Sequence, residues 1–90
     1  MSDANWDLQV ATSAERQLAR LRDKVAAAIV KFMLGPLREN PHRVGHPLRR
    51  ELAGLWSATR GAYRVIYEID EAQSVVSVLR IDRADVYRPR

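Results

Sequence analysis

Ninety residues supply enough apolar surface for one compact core and no more, so the chain reads as a single domain over residues 1–90. With 47% hydrophobic and 29% charged residues and no cysteine, it is neither a disordered tail nor a disulfide scaffold, and it holds no thiolate metal ligands. The net charge of +4 favours a polyanionic partner, since a cationic surface attracts phosphate and gains affinity by releasing counterions.

Of the fifteen basic residues only Lys24 and Lys31 are lysine; arginine offers phosphate a planar fork of donors and also stacks on bases. A codon bias towards arginine would give the same composition. Met1 to Asp7 lacks the basic-then-apolar pattern of a secretory signal, and the run Val25–Leu34, interrupted by Lys31, is too short to cross a bilayer. A soluble, cytoplasmic protein with no membrane association is expected.

Trp6 to Thr12 alternates, with Trp6, Leu8 and Val10 on one side, which predicts a half-buried strand. Thr12 and Glu15 have capping-box spacing and predict a helix start, followed by Ala14, Leu18, Leu21 and Val25 at helical spacing. A break at Asp23 or Lys24 precedes a second helix carrying Ala26, Ile29, Val30 and Met33, interrupted at Gly35-Pro36. Leu37 to Gly54, with Pro41, Gly45 and Pro47, reads as an irregular basic connection carrying Arg38, Arg43, Arg49 and Arg50; Arg49–Ala53 would suit a short turn.

Leu55–Thr59, Tyr63–Asp70 and Ser74–Asp82 then read as three strands joined by short turns, hence antiparallel neighbours. The expected fold class is α+β in the order β-α-α-β-β-β, an antiparallel sheet with a helical hairpin on one face and the other face open.

No cofactor or metal motif survives inspection. His42 and His46 are four apart in a proline-rich context with no third ligand beside them, and glycines are too sparse for a phosphate-cradling loop. The cationic candidates are Arg64 on the middle strand, Arg80 and Arg83 near the end of the last, and Tyr87. On composition alone, the reading to prefer is that Arg64 and Arg80 are simply solvated positions of a two-sided sheet.

The string Pro47-Leu48-Arg49-Arg50-Glu51-Leu52-Ala53-Gly54-Leu55-Trp56-Ser57, the hairpin Arg60-Gly61-Ala62-Tyr63-Arg64-Val65-Ile66-Tyr67 and the ending Arg83-Ala84-Asp85-Val86-Tyr87-Arg88 add specificity. Together they resemble the RelE/ParE superfamily, the toxin halves of bacterial toxin–antitoxin pairs, and are most similar to its RelE branch. The resemblance implies a ribosome-dependent endoribonuclease that cuts messenger RNA by attack of the ribose 2′-hydroxyl on the adjacent phosphate, leaving a 2′,3′-cyclic phosphate. It implies catalytic roles for Arg64 at the phosphate, for Arg83, and for Tyr87 against a nucleotide. Arg49 would contact RNA backbone, with Arg50, Arg60 and Arg80 as further RNA-binding cations.

The partners it implies are the ribosome with its messenger and a cognate antitoxin that folds onto the toxin, with Leu21, Ile29 or Met33 either as contacts or, the reading preferred for most of them, as ordinary core. Two departures stand out: Ser57 and Thr59 occupy positions where many relatives carry Lys or Arg, and Asp82 precedes Arg83 where relatives often have histidine. Strict alternation would turn Arg60 away from Arg64 unless the strand is bulged. Because arginine stays protonated, proton abstraction would fall to a tyrosine, to solvent or to the ribosome. The alternatives are a ParE-like inhibitor of DNA gyrase and a weakened toxin that serves mainly as an antitoxin-binding co-repressor.

Overall fold

The computed structural model describes residues 5–84. The elements run β1 (Asp7–Val10), α1 (Thr12–Ala19), α2 (Asp23–Leu34), α3 (Pro36–Glu39), β2 (His46–Pro47), β3 (Trp56–Arg60), β4 (Tyr63–Asp70) and β5 (Val75–Arg83), with a 3₁₀ turn at Arg50–Leu52 between β2 and β3. One five-stranded sheet has the order β1-β5-β4-β3-β2. Its pairs are antiparallel except β1 with β5, which run parallel, so the first strand lies beside the last.

The expected α+β architecture is present, with additions inside the stretch read as irregular. Pro36 sits at the first position of α3, where a missing N–H costs nothing, and His46–Pro47 adds a two-residue edge strand, the place in a sheet that tolerates proline. Helix α2 begins at Asp23, just after the break at Arg20–Arg22. The capping box is not formed: Ala11 precedes α1 with no side-chain cap. The hydroxyl of Ser13 instead donates to Leu79 O at 2.7 Å.

Alternation in β3, β4 and β5, shifted by one residue between Val78 and Ile81, sends Ala58, Val65, Tyr67, Val76, Val78 and Ile81 towards the helices, where Ala14, Ile29, Phe32, Met33 and Leu37 complete a buried cluster. Ile29 and Met33 are therefore ordinary core, 1% and 2% exposed, and not antitoxin contacts; Leu21 is only half-buried.

The other end of the core is pinned by aromatics. Trp56 stacks on Tyr67, and His42 stands edge-on between Trp6 and Trp56 while pairing with Glu71. Tyr67, with no exposed surface, donates its hydroxyl to Pro41 O at 2.7 Å, and burial pushes its phenol up from 10.0 to about 12. The fold retains a proton that the unfolded chain gives up above about pH 10, so stability is complete below that pH and falls as pH climbs towards 12. Urea melts should lose on the order of 2 kcal/mol across that window. Tyr67→Phe should flatten that alkaline slope while costing about 1–3 kcal/mol at neutral pH for the orphaned Pro41 carbonyl.

Candidate nucleic-acid interface

Cross-strand partners share a face, so the register assigns each arginine to a side of the sheet. Thr59 pairs with Arg64 and Arg64 with Asp82; Ser57 pairs with Ile66 and Ile66 with Arg80; His46 pairs with Ser57. These residues occupy the face away from the helices, and Ile66, although buried, lies outside the core cluster.

Arg80 reaches this face because of a bulge. Ile66 pairs with Arg80 but Tyr67 with Val78, leaving Leu79 as an extra residue on β5. Without it Arg80 would follow Val76 and Val78 into the core; with it Ile81 takes the core position and Arg80 turns outward. Helix α1 fastens the irregularity from one side chain per turn. Ser13 bonds Leu79 O, and Gln17 Oε1 accepts from Ile81 N at 2.7 Å.

Arg64 and Arg80 are thus diagonal neighbours, about 7–8 Å apart at the backbone. Arg80 Nε donates to Asp82 Oδ2 at 2.8 Å, and Asp82 also lies across from Arg64. The acid before Arg83 acts as an orienting group for arginine; an exposed pair of this kind adds little stability, and its effect is to fix direction.

Other expected members of the site fall elsewhere. Arg60 follows the alternation: β3 and β4 pair without a bulge, Arg60 faces Tyr63 across the strands and not Arg64, and its guanidinium lies 3.9 Å over the Phe32 ring on the helix side. Arg83 also pairs with Tyr63, 5.7 Å from that ring, so the register puts it on the side opposite Arg64. Arg49 and Arg50 are exposed at the 3₁₀ turn between β2 and β3, and Arg50 has a left-handed backbone, φ 59°. Tyr87 lies outside the described residues.

Arg38 of the basic connection is structural: its Nε donates to Trp6 O, and its own carbonyl accepts from Trp6 N. His42 and His46 are not brought together, the first held among tryptophans and Glu71, the second on the edge strand facing the arginines. A cleft of about 330 Å³ lined by Val25, Ala28, Ile29, Gly61 and Ala62 with Lys24 and Arg60 at its rim lies on the helix side, away from Arg64.

Ser57, one of the two departures, is 1% exposed, and its Oγ has no hydrogen-bond partner among the described residues. Its hydroxyl therefore contributes no stability, and Ser57→Ala should leave the melting temperature unchanged or slightly raised, by the equivalent of up to about 1 kcal/mol. A drop of several degrees in a calorimetric scan would contradict this.

The profile of the family described as the ParE toxin of type II toxin–antitoxin systems matches residues 8–85. The chain is also 49% identical over 84 residues to the toxins RelG and RelE of Mycobacterium tuberculosis, covering 92% of this chain and 97% and 87% of theirs. The chain belongs to the RelE/ParE toxin superfamily. Within it, this RelE-like toxin is similar to a chain of the M. tuberculosis toxin–antitoxin complex RelBE2, at 46% identity, TM-score 0.85 and coverage of 88% and 98%. The same fold appears in the RelE–RelB complex of Pyrococcus horikoshii, at 19% identity, TM-score 0.74 and coverage of 94% and 99%. The superfamily's sheet is the platform on which this member presents Arg64 and Arg80.

Proposed function

We propose that this toxin cuts messenger RNA on the ribosome and so arrests translation, by 2′-hydroxyl attack on the neighbouring phosphate to leave a 2′,3′-cyclic end, and that a cognate antitoxin restrains it. The observation that carries the reading is the Arg64–Arg80 pair on one face of the sheet, with Arg80 turned outward by the bulge and bonded to Asp82. Two fixed guanidinium groups on an open sheet stabilise the charge that builds on a phosphorane. The names of the 49%-identical relatives support the toxin branch, and the RelB-bound complexes among similar structures support the antitoxin. No cofactor is required for this chemistry.

Charge stabilisation without a strong general base makes the protein dependent on substrate geometry, so free RNA should survive and ribosome-bound messenger should be cut. Tightly controlled expression in a bacterial host, with messenger ends mapped on ribosomes, tests it; growth arrest without decoding-site cuts would defeat it. A second reading, inhibition of DNA gyrase, is favoured by the ParE description of the matching family and by Ser57 and Thr59 in place of cations. Loss of supercoiling activity when purified toxin meets purified gyrase would establish that reading instead.

A further inference from the structure

A cyclising cleavage needs a group that removes the 2′-hydroxyl proton, and neither arginine of the interface can do it. The tyrosines within the described residues are no better placed. Tyr67 is sealed in the core with its phenol pushed up to about 12, and Tyr63 pairs with Arg60 and Arg83 on the helix side. One imidazole does share the arginine face. His46 opens the cross-strand row His46, Ser57, Ile66, Arg80, and the row beside it carries Thr59, Arg64 and Asp82.

Two features of the chain hold His46 there. Pro47 keeps the preceding residue extended, and Gly45 lets the loop press against β3, since a Cβ at that position would come within 2.7 Å of Ser57 O. Both histidines are exposed, but unlike His42, His46 makes no hydrogen bond or ion pair among the described residues. Sheet spacing puts its backbone about 12 Å from that of Arg64, two strands over and one row along, leaving room for a ribose and its phosphate between the side chains.

The charged groups sharing the face are Arg64, Glu68 and Asp70 of β4, Arg80 and Asp82 of β5 and Asp7 of β1. Of these the carboxylate nearest Arg64 is Asp82, already committed to Arg80. Imidazole is the side chain that ordinarily exchanges a proton between about pH 5 and 8.

Resting on the nuclease reading above, we infer that His46 is the proton acceptor of the cleavage. Neutral imidazole takes the 2′-hydroxyl proton, O2′ bonds to phosphorus as the bond to O5′ breaks, and the leaving oxygen takes a proton from water. The imidazolium then returns its proton to solvent. Arg64 and Arg80 hold the phosphorane charge meanwhile.

Single-turnover cleavage of messenger in purified ribosome complexes should be followed from about pH 5.5 to 8.5 for wild type, His46→Gln, His46→Ala and Arg64→Ala. His46→Gln should cut at least about 100-fold more slowly and lose the rise in rate with pH that wild type shows, while added imidazole should restore part of the His46→Ala rate. Circular dichroism and ribosome binding unchanged from wild type would separate this loss from misfolding. If wild type cuts and His46→Gln cuts as fast with the same pH profile, the assignment to His46 is overturned and the nuclease reading stands. If wild type itself makes no cut, both fall together.

Discussion

Arg64→Ala should lower the rate of ribosomal messenger cleavage by about 100- to 1000-fold, and growth arrest on induction should disappear with it. The arginine sits mid-sheet on β4, flanked by Thr59 on one strand and Asp82 on the other, so its direction is set by the backbone on both sides. Such a fixed cation stabilises developing negative charge without reorganising during the reaction, which is why its removal costs rate and not merely binding. Arg64→Lys should recover only a minor part, because an ammonium lacks the planar fork. Cleavage by Arg64→Ala within about threefold of wild type would remove the interface from the chemistry, since that change is well below what loss of one such donor produces.

The second large effect is expected at Gly45. A methyl group there would collide with the Tyr67 hydroxyl and approach Ser57 O to 2.7 Å, and neither neighbour has room to give: Tyr67 is fully buried and bonded to Pro41, and Ser57 belongs to the sheet backbone. Gly45→Ala should cost about 3 kcal/mol, seen as a fall in melting temperature on the order of 15 °C. It should also displace the His46–Pro47 edge strand, so cleavage measured well below the new melting temperature should drop as well. Stability lost with cleavage intact would show that the edge strand takes no part in the site.

Much of this architecture is legible in the residues. Period-two alternation in 63–70 and 75–78 and helical spacing in 12–34 reveal the elements, and Gly61 with φ 59° supplies the tight turn that makes β3 and β4 a hairpin. The site is less legible. Arg80 belongs on the Arg64 face only because of the Leu79 bulge, and that bulge depends on Ser13 and Gln17, more than sixty residues earlier, which no local pattern connects to it.

The strict alternation that reveals strands carries Arg60 to the helix side, and the same bulge that turns Arg80 outward carries Arg83 there, where family likeness alone would have grouped both with Arg64. His46 escapes attention for a different reason. Its strand is two residues long and interrupted by proline, too short for any periodicity to register, so only pairing with Ser57 shows which way it faces.

The pairing of β1 with β5 also bears on how the protein is made. Asp7–Val10 finds its partners in Val75–Val78, almost the whole described chain away, so the sheet's parallel edge waits for the last strand to be synthesised. The clamp from α1 onto the bulge waits for the same event. Until β5 has been made, a growing chain therefore has its helices available but its arginine face unassembled. That interval gives an antitoxin already present in the cell the chance to meet the toxin as it folds.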